Sequence, residues 1–254
     1  MESKLPLWTA ALVVVPRMLS ADVQVVAHRG DCVKFPENTL PAFQSAIDMG
    51  ADFLEIDVWL TKDGESVVVH DPTYGRTTNV EEMFGENKEI GELTLAEAKT
   101  LWIDGGANTE KFKETLRVPA LDEVLAMAKD KIKILFNIKS MDPKNLENIV
   151  AAVDRIGLRR EDIVYDQVGF DEKKTSRLHF YGGKKLEGFP EGVEIAGPHY
   201  SVLDQEYVDQ LHRMGYKVFT WTANKEKDLE RIIGLGVDGV LTDDPGLMLK
   251  ILGR

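Results

Sequence analysis

The sequence predicts a (β/α)8 TIM barrel, in which eight parallel strands alternate with helices around one closed sheet. From residue 22 onward, short runs rich in β-branched residues alternate with amphipathic stretches of helical period, the pattern of βα units that build a parallel sheet. The chain has 254 residues, which matches the roughly 250 residues of such a barrel. No Pro/Gly/Ser-rich linker or solenoid repeat interrupts the alternation, so we expect one domain over residues 22–254.

Strands are predicted where short apolar runs lack helical period. These runs are Val23–Ala27, Phe53–Trp59, Ile132–Ile138, Asp162–Tyr165, Gly192–Ile195, Lys217–Trp221 and Gly239–Leu241. We expect the eighth strand around Gly197–Tyr200, where Pro198 obscures the pattern. Helices are predicted at Leu40–Met49, Leu121–Ala128, Leu146–Ile156, Asp204–Met214, Leu229–Leu235 and Pro245–Ile251.

The stretch from Thr73 to Arg117 breaks this alternation. It is polar, rich in Gly, Glu and Lys, and has no strong strand signal. We interpret it as a small insertion after the second strand, on one face of the barrel, where enzymes of this architecture diversify their choice of substrate.

The composition excludes several classes of protein. With 43% hydrophobic residues, 29% charged residues and a mean hydropathy of -0.20, the chain can form a full core and is neither disordered nor fibrous. Its net charge of -12 repels nucleic acid and anionic membranes, so we expect a small-molecule ligand and no nucleic-acid partner. Cys32 is the single cysteine, which excludes an intramolecular disulfide.

The N-terminal residues differ from the rest of the chain. An apolar run, Leu5–Val15, follows Lys4 and precedes the small residues Ser20 and Ala21. The run fits the core of a signal peptide, about 7–15 residues, and is shorter than a membrane span of about 20. We expect cleavage near Ala21 and a periplasmic or secreted protein without stable membrane insertion. The alternative is a structured cap on the barrel, and a chain that keeps this segment would be cytoplasmic.

Two histidines follow predicted strands. His28 and Arg29 come directly after the first strand, and residues past the carboxyl end of a barrel strand line the mouth of the active site. Arg29 offers a planar guanidinium for phosphate oxygens, and His28 titrates near neutral pH. His70 follows the short apolar run Val67–Val69, and Asp71 is available to fix its tautomer. Taken alone, His28 and Arg29 would be interpreted as ordinary surface residues in ion pairs with acids.

Two acids lie one residue apart in the second predicted strand. Glu55 and Asp57 point to the same face, here the barrel interior, because a strand has a period of two. Two buried carboxylates this close raise each other's pKa unless a cation lies between them. A divalent cation resolves this, and two histidines beside it indicate phosphoryl chemistry, with one imidazole as base and the other as acid. Salt bridges to Lys or Arg across the barrel are the alternative.

Further candidates lie on later strands. Asn137 and Lys139 share one strand face, Asn137 as an oxygen ligand and Lys139 as a charge for phosphate or as the ion-pair partner of one of the two acids. Trp221 ends a strand and either lines the site for a glycerol or choline group or packs under a loop. His199, near the expected eighth strand, is a further candidate for the substrate pocket.

A series of motifs, in this order along the chain, resembles the glycerophosphodiester phosphodiesterase family. The motifs are His28-Arg29-Gly30, Pro36-Glu37-Asn38-Thr39, Glu55-Ile56-Asp57, Thr61-Lys62-Asp63-Gly64, His70-Asp71, Arg76-Thr77-Thr78, Trp221-Thr222-Ala223-Asn224, and Gly236-Val237-Asp238-Gly239 with Thr242-Asp243. The resemblance runs from about Val25 to the C-terminus.

This resemblance implies hydrolysis of glycerophosphodiesters to glycerol 3-phosphate and an alcohol on a barrel with an insertion after the second strand. It also implies roles for six residues: an acid–base pair, His28 and His70; ligands of one Ca²⁺ or Mg²⁺ ion, Glu55 and Asp57; and phosphate ligands, Arg29 and Lys139.

The chain departs from the family at Asn137, where a third metal-binding carboxylate is usual. An amide oxygen is an acceptable ligand for Ca²⁺ or Mg²⁺, but the lost charge lowers the expected affinity.

Two other functions are compatible with these residues. A lysophospholipase D or another phosphodiesterase on the same barrel needs a long apolar groove for acyl chains, and the polar insertion argues against one. A non-catalytic phosphodiester-binding protein with a weakened metal site would have little reason to keep both His28 and His70.

Overall fold

The structure, a computed structural model, describes residues 23–112, 114–166 and 176–254. The predicted signal peptide, with its run Leu5–Val15 and its cleavage near Ala21, lies outside these residues. Within them, eight parallel strands close a barrel with helices packed around it, which confirms the predicted fold class.

Each barrel strand pairs in parallel with the strands on both sides, and the first strand pairs with the last. The strands are β1 (Gln24–His28), β2 (Phe53–Leu60), β3 (Ser66–Val68), β4 (Lys133–Ile138), β5 (Ile163–Asp166), β6 (Ser176–Tyr181), β7 (Ile195–Pro198), β8 (Lys217–Thr220) and β9 (Gly239–Thr242). All but β3 belong to the barrel, and β3 pairs antiparallel with the end of β2.

Six helices lie close to their predicted positions, and two short helices in the insertion were not predicted. They are α1 (Leu40–Met49), α2 (Val80–Phe84), α3 (Leu95–Ala98), α4 (Leu121–Ala128), α5 (Pro143–Ile156), α6 (Gln205–Arg213), α7 (Glu226–Gly234) and α8 (Pro245–Leu252). Asp244 caps α8 by accepting a hydrogen bond from the backbone of Leu247 at 2.8 Å. Over the residues that the structure covers, none of these helices has the length and apolar character needed to cross a membrane.

Large apolar side chains fill the interior of the barrel beneath the carboxyl ends of its strands. They come from every strand of the closed sheet and are all buried: Val26, Phe53, Leu135, Val164, Leu178, Ile195, Phe219 and Leu241. Phe53 and Phe219 meet edge to face at a centroid distance of 5.9 Å. The space that remains open lies above this layer, at the carboxyl ends of the strands, where polar residues replace the apolar ones.

The register of three neighbouring strands sets a row of polar residues at that end. Asp57 on β2 lies opposite Asn137 on β4, and Asn137 lies opposite Asp166 on β5. On the other side of β2, Glu55 lies opposite His28 on β1. Because residues paired in a parallel ladder point to the same face, all of these side chains project toward the mouth of the barrel.

One strand prediction was wrong. The predicted strand Gly192–Ile195 and the suspected one at Gly197–Tyr200 are a single strand, β7, and the missing strand is β6. The sequence of β6 shows no apolar run because only Leu178 is fully buried in it, while His179 faces outward and stacks near Tyr181. Barrel strands this polar on one side resemble loops in sequence.

The insertion has more structure than its polar composition indicated. Its described residues include α2, α3 and short 3-10 turns, and they enclose a second apolar cluster. The buried members of that cluster are Val67, Val69, Tyr74, Val80, Ile90, Leu93, Ala98, Leu101, Ile103 and Val118. Val69, a member of this cluster, donates its backbone N–H to the carbonyl of Asp57 at 3.2 Å, so the cluster is attached at the carboxyl end of β2.

Candidate active site

A cavity of about 250 Å³ opens at the carboxyl ends of the barrel strands. Most of the site residues predicted from the sequence line it, together with four residues that were not predicted. Its walls are formed by His28, Arg29, Glu55, His70, Asn137, Lys139, Asp166, Phe180, Trp221, Thr222 and Leu241. Two predicted residues are not in this wall: Asp57 lies directly behind Arg29 and Lys139, and His199 lies behind Trp221.

His28 is held by a carboxylate from the last barrel strand. Its Nδ1 lies 2.6 Å from Oδ1 of Asp243, and Asn224 donates a hydrogen bond to the other oxygen of Asp243. Burial alone would lower the pKa of His28, but the bond to Asp243 and the charge of Glu55 outweigh burial and raise it. Sequence reasoning assigned Asp243 no role in the site; its position one residue after β9 was the available signal.

His70 is held in the same way by its own neighbour. Its Nδ1 lies 2.6 Å from Oδ1 of Asp71, and Arg76 Nε donates to Oδ2 of Asp71 at 2.6 Å. The bond to Arg76 lowers the pKa of Asp71 to about 2, so this carboxyl is an anion at neutral pH. Burial lowers the pKa of His70, although the charge of Asp57 and the bond to Asp71 act against it. The two imidazoles therefore have pKa values displaced in opposite directions.

A tight turn after β1 places Arg29 over the acids. The backbone of Arg29 is left-handed, with φ 58°, and the following Gly30 has φ 94° and no room for a Cβ, which would lie 2.7 Å from Ala42. Left-handed non-glycine residues are uncommon and tend to occur at functional sites. Arg29 Nη1 donates to Glu37 at 3.0 Å, and Glu37 also accepts from Arg76 at 2.7 Å.

Asp57 is fully buried and surrounded by donors. Asn38 donates to Oδ2 at 2.8 Å, Arg29 Nε lies 3.3 Å from the same oxygen, and Lys139 Nζ lies 3.0 Å from Oδ1. The ion-pair alternative considered for Lys139 is thus present in the structure, with Asp57 as the partner. Lys139 and Arg29 also line the cavity, so both charges remain within reach of an anionic ligand.

Glu55 is fully buried with one oxygen unsatisfied. Its Oε2 accepts from the backbone N–H of Arg29 at 3.1 Å, and its Oε1 has no hydrogen-bond donor. Burial, and then the charge of Asp57, raise the pKa of Glu55 to about 7. A buried carboxylate oxygen without a donor is costly, and this one belongs to a residue of the cavity wall.

The oxygen-bearing side chains around Glu55 suit a hard divalent cation. In residues 23–112, 114–166 and 176–254 no three His, Cys, Asp or Glu side chains are grouped to hold a metal. Glu55, Asp57 and the amide of Asn137 together supply two carboxylates and one neutral oxygen on adjacent strands. Oxygen ligands of this kind fit Ca²⁺ or Mg²⁺, which retain water in their remaining positions.

Aromatic side chains form the opposite wall. Trp221 Nε1 donates to the carbonyl of Gly197 at 2.9 Å, which fixes the indole, and Phe180 meets it edge to face at 5.9 Å. The ring of His199 contacts the far side of Trp221 at 5.1 Å and bonds to Ser201. His199 therefore buttresses Trp221 from outside the cavity wall.

Asp166 was not among the predicted site residues, although it directly follows the predicted strand Asp162–Tyr165. Burial raises the pKa of this carboxyl to about 7, while a hydrogen bond from the backbone N–H of Phe180 and the charge of Lys139 act in the opposite direction. The pairing register of β4 and β5 places Asp166 beside Asn137, and this register is the signal that could have identified Asp166 as a site residue.

Comparison with known proteins agrees with this geometry. The model of the glycerophosphoryl diester phosphodiesterase family matches residues 28–182 and 187–247. A glycerophosphodiester phosphodiesterase of Caldanaerobacter subterraneus subsp. tengcongensis is 35% identical over 91% of this chain and 98% of its own length. One from Bacillus subtilis is 31% identical over 92% of this chain and 88% of its own length.

The fold also matches solved structures. The crystal structure of a glycerophosphodiester phosphodiesterase from Parabacteroides distasonis superposes with a TM-score of 0.70 at 26% identity, covering 91% of this chain and 97% of the other. The family match spans both cavity histidines and the acids of β2. The chain therefore belongs to the glycerophosphoryl diester phosphodiesterase family.

Proposed function

We propose that this chain hydrolyses glycerophosphodiesters to glycerol 3-phosphate and an alcohol, with one divalent cation and with His28 and His70 as the acid–base pair. The observation that carries the proposal is one cavity that holds two carboxylate-anchored imidazoles beside the unsatisfied buried oxygen of Glu55. The similarity to two glycerophosphodiester phosphodiesterases supports glycerophosphodiesters as the substrate class.

Both histidines are oriented for proton transfer. Each ring bonds to a carboxylate through Nδ1, so Nε2 is the atom directed at a ligand. One imidazole accepts a proton of the attacking water, and the other donates a proton to the departing alcohol oxygen. Asp243 and Asp71 hold the two rings and stabilise their protonated forms.

The remaining wall residues would bind the phosphate. Arg29 presents a planar guanidinium and Lys139 an ammonium, and both can pair with the nonbridging oxygens of a diester. Glu55, Asp57 and Asn137 would hold the cation, which when bound supplies charge stabilisation to the phosphate in the transition state. In a chain whose net charge is -12, this local positive charge is what admits an anionic substrate.

Release of glycerol 3-phosphate from a panel of glycerophosphodiesters, with and without EDTA, tests the proposal. We expect release from several diesters, loss of release with EDTA, and recovery with added Ca²⁺ or Mg²⁺. Release unaffected by exhaustive chelation would refute the metal requirement. A lysophospholipid cleaved faster than every diester of the panel would point instead to lysophospholipase D activity.

A further inference from the structure

Asp166 lies between two sides of the cavity, the side with the proposed cation ligands and the side with the aromatic residues Phe180 and Trp221. Its position at the end of β5 places it between Asn137 on the cation side and β6 on the aromatic side. The carboxylate accepts a hydrogen bond from the backbone N–H of Phe180, a residue of β6 on the aromatic side of the cavity. Asp166 also lines the cavity, so it presents negative charge to whatever lies against the aromatic wall.

The aromatic wall beside Asp166 has the chemistry of a cation-binding surface. Phe180 and Trp221 stand at 71° to each other with centroids 5.9 Å apart, and both line the cavity. Aromatic faces attract ammonium groups through their quadrupoles, and Trp does so most strongly. A carboxylate beside two such rings strengthens this attraction when it is ionised.

The two basic residues of the cavity wall are each paired with an acid, although the charge of Lys139 also acts on Asp166. Lys139 Nζ lies 3.0 Å from Asp57, and Arg29 bonds to Glu37 at 3.0 Å. Both are also the residues that would bind the phosphate. The negative charge of Asp166 therefore opposes the anionic part of the substrate and favours a positively charged part.

We propose that Asp166, with Phe180 and Trp221, binds the leaving alcohol of the substrate and selects one that carries an alkylammonium group, as in glycerophosphoethanolamine or glycerophosphocholine. This inference rests on the proposed diesterase function and adds the chemical class of the alcohol. In both alcohols two carbons separate the nitrogen from the ester oxygen, so the ammonium lies in the same cavity as the phosphate. Asp166 acts on substrate specificity, while the acid–base pair performs the proton transfers.

Steady-state kinetics on cationic and neutral diesters test this assignment. The substrates are glycerophosphoethanolamine, glycerophosphocholine and the neutral-alcohol diester glycerophosphoglycerol, and the variant is Asp166→Asn, whose amide oxygen can still accept from Phe180. We expect kcat/KM for the two cationic diesters to fall about tenfold, mainly through KM, because one charge-assisted contact is lost. Turnover of glycerophosphoglycerol should stay within about twofold.

Glu161→Gln is the matched control. Glu161 is an exposed acid just before the opposite end of β5, so this variant removes the same charge far from the cavity mouth and should leave all three substrates unchanged. An equal loss on neutral and cationic diesters, or no loss on the cationic ones, would overturn the assignment of Asp166.

Binding without turnover separates this inference from the proposed function. In a His28→Ala background, calorimetric titration with glycerophosphocholine should give about tenfold weaker binding when Asp166→Asn is added, and titration with glycerophosphoglycerol should not change. Equal affinity for glycerophosphocholine in the single and double variants refutes the role of Asp166. A His28→Ala protein that turns over substrate at a rate close to wild type refutes the acid–base assignment, whatever Asp166 does.

Discussion

At the scale of single residues, each cavity histidine is paired with a carboxylate that fixes its ring. Asp243 reaches His28 from the far end of the chain, and Asp71 is the next residue after His70. Their pKa values are displaced in opposite directions, His28 upward and His70 downward. Enzymes that need an acid and a base at one pH separate two pKa values by environment in this manner.

Replacing either histidine should strongly reduce turnover without unfolding the protein. In His28→Ala and His70→Ala we expect kcat to fall by about 10²–10⁴-fold each, because each variant loses one proton-transfer group. Measurement of kcat together with a denaturant melt checks this, with His212→Ala as the control, since His212 pairs with Asp238 away from the cavity. Activity close to wild type in either cavity variant would remove that residue from the acid–base pair.

Asp243→Asn should shift the pH dependence as well as the rate. Asp243 raises the pKa of His28, so removing its charge should move the limb of the kcat/KM profile that reports His28 to lower pH. This limb should move to lower pH whether His28 is the acid or the base, because the pKa of His28 falls in both cases. The profile from pH 5 to 9 is the measurement. An unchanged profile with a lower kcat would show that Asp243 only orients the ring.

At the scale of the elements, neighbouring strands bring groups together that are distant in sequence. The polar row from Asp57 through Asn137 to Asp166 exists because β2, β4 and β5 pair in a fixed register. A shift of one residue in any of them would turn its side chains toward the helices. The proposed cation ligands therefore depend on strand pairing as much as on residue identity.

Asn137→Glu should strengthen the hold on the metal. If Asn137 faces the same cation as Glu55 and Asp57, a third carboxylate should lower the Kd for Ca²⁺ or Mg²⁺ by about tenfold or more, provided that Lys139 is not displaced. Calorimetric titration after EDTA treatment compares the variant with wild type and with Asn137→Gln, which matches the length of Glu without its charge. Equal affinities in wild type and Asn137→Glu would show that Asn137 is not at the metal. Tighter metal binding in Asn137→Gln as well would show that the longer side chain, and not its charge, raises the affinity.

Leu178→Ala should test whether β6 carries part of the barrel core. Leu178 is fully buried among side chains of the other strands, so its truncation should lower the free energy of unfolding by about 2–5 kcal/mol. His179 is next to it on the outer face, and His179→Ala should cost less than about 1.5 kcal/mol. Urea denaturation of both variants measures the difference. Similar small losses in the two would place Leu178 outside the core.

At the scale of the whole molecule, the charge is divided between surface and site. The net charge of -12 keeps polyanions away, while Arg29 and Lys139 line one small cavity. Only an anion small enough to enter the mouth meets these cations, and a monomeric phosphodiester satisfies that condition.

The N-terminal segment should be removed on export. The apolar run Leu5–Val15 motivates this prediction, with cleavage near Ala21. Expression of the full chain in an exporting bacterial host, followed by mass spectrometry of the recovered protein, is the measurement, and Leu12→Lys, which breaks the apolar run, is the control. Intact Met1 in the exported protein would contradict the prediction.

By itself the sequence determined the barrel, seven of its strand regions and the inward face of Glu55 and Asp57. These features follow from local periodicity and from turn residues, which neighbouring positions specify. It also indicated the positions of His28, His70 and Lys139, because residues after a strand lie at one end of a parallel barrel.

Only the tertiary structure decided which distant groups meet. Asp243 reaches His28 across 215 positions, and Asp57 pairs with Lys139 across the β2–β4 boundary. The structure identifies β6 as a barrel strand because Leu178 is buried against other strands. The sequence of β6 contains no apolar run that would predict a strand. Such contacts depend on barrel closure, and closure is set by interactions between segments far apart in the chain, which a local pattern does not encode.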